Sequence, residues 1–333
     1  MHHVSRRHLI NAPDDVVPEA LEGLALTYPD LVTYEPGAAL VLRRTSTPGK
    51  VGLVSGGGSG HEPLHAGFVG TGMLDVAVAG AVFASPTALQ IHAGTKAAQQ
   101  GAGVLQVVKN YTGDVLNFQI AGEIAADDGV EVASVLVDDD LATSGSKVGR
   151  RGTAAVVAVE KICGAAAEAG ADLATLAALG RRVVGSSRSL ALALAAGAHP
   201  GDSAPAFQLP DDRVELGVGI HGERGTGRVG FGTADELVDQ LVEPLVADLA
   251  LDGSDPVIAI VNGLGGTYPI QLSIAARRVH HHLGDRGVRV ARSLVGSYVT
   301  SLDMHGLSVT LVRADDELLR LWDAPVRTPA LTW

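Results

Sequence analysis

Residues 51–65 read VGLVSGGGSGHEPLH, a stretch that few backbones can accommodate. Residues 51–54 are apolar or small and read as a short buried strand. Residues 55–60 are all glycine or serine, and His61, Glu62 and Pro63 follow. Proline lacks the N–H that the first turn of a helix leaves unused, so the expected order is strand, glycine loop, helix. Holding a glycine in place costs more backbone entropy than holding any other residue. Four glycines and a histidine at the mouth of a strand therefore imply backbone N–H groups drawn close to a ligand. The competing reading is a tight surface turn.

The flanking segments repeat that rhythm. A helix is expected over 13–26, with Val17, Leu21 and Leu24 on one face, and another over 87–100, closed by Gly101. Between them, 73–83 is apolar and glycine-bearing. A strand over 103–108 ends in the cluster KNYTGD, a helix over 115–127 follows, and a strand over 130–137 ends in Asp138, Asp139 and Asp140. Strands alternating with helices of this length indicate parallel β–α units, whose ligands collect beyond the carboxyl ends of the strands. The glycine loop, the 109–114 cluster and the three aspartates all fall at such ends.

Residues 143–152 form a glycine, serine and basic loop, 153–194 read mostly as alanine-rich helix, and 197–210 read as a junction. A second set follows: strands over 214–220, 257–261, 288–295 and 307–312, with helices over 234–249, 269–283 and 315–322. The fold class is thus α/β, with two α/β domains on mixed, largely parallel sheets. Residues 1–184 hold the glycine loop, and residues 185–333 hold His221.

His221 ends the expected strand over 214–220 in the run ELGVGIHGERG. Glycines on both sides leave the imidazole sterically bare, as a nucleophile or ligand contact requires; a turn histidine is the other reading. Asp114 precedes a helix and is either an N-cap or a functional carboxylate. Lys109, if not simply solvated, would join it to suit an oxygen-rich small substrate. Asp138, Asp139 and Asp140 point in different directions, and a solvated strand end is preferred over a metal or phosphate site. His280, His281 and His282 fan out on a helix end and read as surface.

A net charge of -12 argues against a nucleic-acid partner. The lone Cys163 cannot form an internal disulfide and reads as a small core residue in a reducing compartment. No apolar run is long enough for a spanning helix, and the opening MHHVSRRHLI has no apolar signal core, so a cytoplasmic enzyme is expected. A Walker loop is absent, and the dinucleotide fingerprint counted from Gly56 meets His61 where it needs glycine.

SGGGSGHEP followed by FASP, VKNYTGD, DDD followed by GRRG, GVGIHGE, TSLDM and the terminal WDAPVRTPALTW occur in that order. Together they resemble the dihydroxyacetone kinase K subunit in its bacterial stand-alone form, from about residue 8 to the C-terminus. The resemblance implies that His221 attacks the carbonyl carbon of the substrate to give a covalent hemiaminal. It implies that His61 hydrogen-bonds the substrate as an acid/base group, and that Asp114 takes the proton of the terminal hydroxyl as that oxygen attacks phosphorus. Gly58, Ser59, Gly60 and Lys109 match substrate-contacting positions.

The family further implies a homodimer with no cofactor or metal of its own. ADP or ATP and magnesium would lie on a partner L subunit, which a phosphotransferase M subunit serves in some members. A regulatory paralogue without kinase activity and a kinase subunit for another ketose, such as erythrulose, are the alternatives. The sequence departs from the family pattern at Arg224, at Gly263 in the run 262–265, at 268–271 and in a shortened 140–149 loop. These positions bear on partner docking and ketose preference.

Overall fold

The computed structural model describes residues 8–202 and 204–333; the opening of the MHHVSRRHLI segment lies outside them. A 3-10 turn at Pro13–Asp15 leads into helix α1 (Val16–Thr27), which buries Leu21 and packs Val17 and Leu24 beside it. Strands β1 (Val32–Glu35) and β2 (Leu40–Arg43) form an antiparallel hairpin that the sequence did not announce, because four residues are too few for alternation to register.

Strand β3 (Gly52–Ser59) corrects the expected strand, loop and helix. The glycines are part of the strand. A Cβ on Gly56 would lie 2.4 Å from the Val78 carbonyl oxygen, and one on Gly58 would lie 2.7 Å from the Ala84 nitrogen. At Gly56 and Gly58 glycine is needed because a neighbouring segment of the chain comes this close, not because a loop needs freedom. No α-helix begins at Pro63; a turn and a 3-10 segment at Ala66–Phe68 lead to β4 (Val76–Val82).

Helix α2 (Ala88–Ala98) starts on a capping box of Thr87 and Gln90. Strand β5 (Val104–Lys109), helix α3 (Thr112–Asp127) and strand β6 (Val132–Val137) follow close to expectation. The first sheet has the order β1-β2-β4-β3-β5-β6, with β4, β3, β5 and β6 parallel and the hairpin on one edge.

Residues 153–194 are only partly helical. Helices α4 (Ala155–Glu168) and α5 (Leu173–Gly185) give way to strand β7 (Ser187–Ala195), whose SRSLALALA alternates with period two. Strands β8 (Arg213–Leu216) and β9 (Gly227–Gly230), helix α6 (Ala234–Asp248), strand β10 (Pro256–Gly263) and helix α7 (Pro269–Asp285) continue the chain. Strands β11 (Arg289–Gly296) and β12 (His305–Arg313) and helix α8 (Asp316–Asp323) complete it. The second sheet runs β11-β10-β12-β7-β8-β9, and β10 with β11 is its parallel pair.

Helix α4 lies between the sheets, and every residue in it except Glu168 is buried. Its alanines, valines and glycine let both sheets come close, so one core cluster joins Leu53 and Leu105 of the first sheet to Ile258 and Val312 of the second. Cys163 belongs to that core. His282 is buried between Asp239 and Glu243, which corrects the surface reading for that residue; His280 and His281 are exposed.

Candidate active site

The first sheet delivers three groups to one place. Strand β5 ends on Lys109, which is fully buried rather than solvated. Its Nζ donates to the Gly56 carbonyl at 3.2 Å and lies 3.7 Å from Asp114 Oδ2. A Cβ on Gly57 would lie 2.5 Å from that Nζ, so glycine there makes room for the ammonium. The N-cap of α3 is Tyr111, which removes the capping reading of Asp114: the carboxylate sits in the first turn, buried, with Oδ1 free of any hydrogen-bond partner.

His61 lies in the turn after β3 with no exposed surface. Its Nδ1 is 2.8 Å from the Thr300 carbonyl. A carbonyl only accepts, so Nδ1 carries the proton and Nε2 holds a lone pair, which has no partner in the protein. Burial, with His221 and Lys109 nearby, holds the ring's pKa well below the ordinary 6.5. Thr300 is placed in turn by Asn262, whose Oδ1 accepts from the Tyr298 and Val299 N–H groups at 2.8 and 2.9 Å. The motif TSLDM thus acts through the backbone that orients His61.

Gly58, Ser59 and Gly60 are already engaged. Ser59 Oγ donates to the Gly80 carbonyl at 2.8 Å, the Gly60 N–H donates to the Glu62 carboxylate at 3.0 Å, and Gly58 rests against 83–84.

His221 is not at a strand end as expected. Strand β8 stops at Leu216, and Gly217, at φ +73°, turns the chain away from the sheet. The loop is held from its own side chains and from the segment between β6 and α4. Glu223 accepts the His221 N–H at 2.8 Å. Arg151 binds Glu223 at 3.1 Å, Asp140 through Nε at 2.7 Å and the Gly217 carbonyl at 2.8 Å. The imidazole meets three rings nearly edge-on: Tyr111 at 4.3 Å, His61 at 4.8 Å and Phe83 at 5.6 Å between centroids. Burial lowers its pKa, Glu223 opposes that shift and Lys109 reinforces it. The neutral, nucleophilic ring is favoured.

Of the three aspartates, Asp138 is partly exposed, and the solvated strand-end reading fails for the other two. Asp139 and Asp140 are buried. Asp139 accepts from Thr153 N, Thr153 Oγ1 and Ala155 N at 2.7, 2.8 and 3.0 Å, anchoring the start of α4. Asp140 holds Arg151, although burial raises its pKa to about 6 against that attraction. Sequence reasoning singled out neither Arg151, Glu223, Tyr111 nor Phe83. Each lay inside a motif read only as a string: GRRG, GVGIHGE, VKNYTGD and FASP.

The buried site therefore presents a bare imidazole, a lone pair on His61 Nε2, an open carboxylate oxygen on Asp114 and the Tyr111 hydroxyl, the last three without partners in the protein. Buried polar atoms are rarely left unpaired, and the rings of His61 and Tyr111 lie 4.8 and 4.3 Å from that of His221, whose charge Asp114 also feels.

Residues 22–330 match the family model described as the Dak1 domain. The chain is 48% identical to the dihydroxyacetone-binding subunit of PTS-dependent dihydroxyacetone kinase 1 of Listeria innocua, over 93% of this chain and 95% of that one. Among solved structures, the dihydroxyacetone kinase of C. freundii superposes with a TM-score of 0.88 at 34% identity, covering 98% of this chain and 60% of that one. A dihydroxyacetone kinase operon co-activator superposes with a TM-score of 0.89 at 33% identity, covering 94% of this chain and 96% of that one.

Proposed function

This chain belongs to the Dak1-domain family of dihydroxyacetone kinases and their dihydroxyacetone-binding subunits, and on that premise we propose that it is the substrate-holding subunit of a dihydroxyacetone kinase. The lone-pair nitrogen of His221 bonds the ketone carbon, and the C=O pair becomes an alkoxide. The proton released from the other ring nitrogen neutralises that oxygen, so capture neither gains nor loses a proton overall. A hemiaminal needs a carbonyl, so glycerol is rejected by chemistry rather than by fit.

Capture fixes the terminal hydroxyl beside Asp114. Its oxygen attacks the phosphorus supplied by a partner subunit, its proton passes to the carboxylate, and the leaving group departs on the partner. Fixing the triose is worth at most ~7–11 kcal/mol of barrier, and general-base help adds about 10²- to 10⁴-fold. The phosphoryl donor and its magnesium belong to the partner L subunit in this reading, with an M subunit where the donor chain is of the phosphotransferase type. A homodimer in the cytoplasm completes the proposal. Among the described residues no helix is long and apolar enough to cross a membrane.

The observation that carries the reading is that Asp114 Oδ1 and His61 Nε2 are buried without partners while the His221 ring lies 4.8 Å from that of His61 and within the electrostatic reach of Asp114. The likeness to a co-activator keeps a second reading in view, a ketone sensor; a sensor has no need of a buried base. Dihydroxyacetone and erythrulose, offered with ATP-type and phosphotransferase-type partner subunits in turn, decide between them. Phosphorylation of dihydroxyacetone is expected. Ketone binding without turnover under every partner would favour the sensor.

A further inference from the structure

The reaction proposed above uses Asp114, beside which Lys109 lies, but leaves two buried ionisable residues next to Lys109 without a task. His65 lies beyond the turn that carries His61, and Glu160 lies in the middle of α4; both are buried. His65 Nε2 is 2.9 Å from Lys109 Nζ, and His65 Nδ1 is 2.6 Å from Glu160 Oε1. The line Glu160, His65, Lys109, Asp114 thus runs from the central helix to the carboxylate that takes the substrate's proton.

Donor and acceptor chemistry fixes how this line is wired. An ammonium has three N–H bonds and no lone pair, so His65 Nε2 must accept from Lys109 and the ring proton must sit on Nδ1. That N–H then donates to Glu160 Oε1. Burial raises the Glu160 pKa to about 8 against the pull of Lys109, so near neutral pH the carboxyl is largely protonated. Its carbonyl oxygen still accepts, as an amide oxygen would. Burial, followed by Lys109 and His61, holds the His65 ring well below its ordinary 6.5 and uncharged.

A second N–H of Lys109 goes to the Gly56 carbonyl at 3.2 Å, and the ammonium faces Asp114 Oδ2 at 3.7 Å. Among the described residues, the other titratable groups that interact with this line are His61, from the turn after β3, and His221, whose ring feels both Lys109 and Asp114; Ser55 and Gly56 on β3 add neutral dipoles. Lys161, next to Glu160 in α4, turns elsewhere and donates to the Leu321 carbonyl at 2.9 Å.

We infer that Glu160 and His65 are positioning residues: Glu160 fixes the tautomer of His65, and His65 thereby holds the Lys109 ammonium in place beside Asp114. The effect on turnover rests on the kinase-subunit reading; the tautomer does not. A ring that could present N–H at Nε2 would repel the ammonium and let it swing away from the carboxylate.

Two readouts test this on the full chain. In protein carrying ¹⁵N-labelled histidine, one ring, identified by its loss in His65→Gln, is expected to show a protonated Nδ1 and a lone-pair Nε2 at neutral pH. Phosphorylation of dihydroxyacetone with the productive partner subunit gives the second readout, with ketone capture measured separately on the free chain. His65→Leu and Glu160→Leu are expected to lose on the order of 10- to 100-fold in kcat while capture by His221 persists. Glu160→Gln, isosteric with the protonated acid, and His65→Gln, which offers an amide oxygen near the Nε2 position, are expected to restore most of the rate.

The opposite tautomer in the wild-type chain would overturn the inference. So would leucine variants that turn over normally, glutamine variants as impaired as the leucine ones, or leucine variants that lose capture and turnover together. If the wild-type chain transfers no phosphoryl group with any partner yet shows the assigned tautomer, the kinase reading fails and the tautomer lock stands.

Discussion

The two sides of the site are built by different means. On the side of Asp114, the groups sit at the carboxyl ends of parallel strands, fully buried and bonded to one another through Lys109 and the β3 backbone. On the side of His221, the chain has already left its strand. The imidazole is carried by an irregular loop and tied down by Glu223 and by Arg151 reaching from the loop between β6 and α4. A proton transfer to a carboxylate tolerates little misplacement, and rigid strand ends supply that accuracy. A residue that bonds a ligand needs access as well as aim, and a clamped loop supplies both.

If the division of labour is real, the two sides fail separately. His221→Ala is expected to abolish covalent capture, and turnover with it. Asp114→Asn is expected to retain capture and lose about 10²- to 10⁴-fold in kcat. Mass spectrometry of the ketone adduct and a coupled phosphorylation assay give the two readouts. Full activity in Asp114→Asn would strip that residue of its role, and an intact adduct in His221→Ala would do the same for the histidine.

Gly57→Ala and Arg151→Met probe the supports of each side. An added methyl on Gly57 would fall 2.5 Å from Lys109 Nζ, and the flexible end of the lysine is what would yield. Turnover is therefore expected to fall on the order of 10- to 100-fold with capture kept, and the backbone at φ +157° costs a further 1–3 kcal/mol, roughly, in stability. Arg151→Met leaves Asp140 buried without its cation. That should cost about 3 kcal/mol of stability, read by chemical denaturation, and should weaken capture more than it slows transfer from captured ketone. Equal losses in both steps would dissolve the distinction between the two sides.

How much of this the sequence disclosed follows the same line. Parallel strands followed by helices place ligands by a general rule, and that rule found Lys109, Asp114 and the region of His61. It misread β3, because a glycine run admitting close neighbours looks the same as a glycine run lining a loop. It placed His221 at a strand end because ELGVGIH alternates, although Gly217 had already ended the strand. Arg151 and Glu223 were invisible because their meaning lies in a contact across 72 residues of chain. Asp139 and Asp140 looked solvated since nothing local says that Thr153, Ser189 and Arg151 return to cover them. Glu160 and Lys161 were two charges inside an apolar helix, and only the folded chain shows what each one touches.

The smallest expected effect is a displaced pH limb. In the proposed reaction capture needs the neutral His221 ring, and a free imidazole would lose half of that form at pH 6.5. Burial disfavours the charged ring, and the Lys109 ammonium repels it; Glu223 and Asp114 attract it and recover part of the shift. The net direction is downward, so ketone binding should hold through pH 6.5 and weaken only on further acidification. The sign follows from proton counting: capture consumes the unprotonated ring, so affinity falls wherever the free site holds a proton that the adduct does not. Titrating dihydroxyacetone binding between pH 5 and 8 locates the limb. Replacing Glu223 by Gln removes the largest opposing attraction and should move the limb lower still. A limb at or above 6.5 in the wild-type chain would mean that the loop side of the site is wetter than its packing against Tyr111, His61 and Phe83 implies.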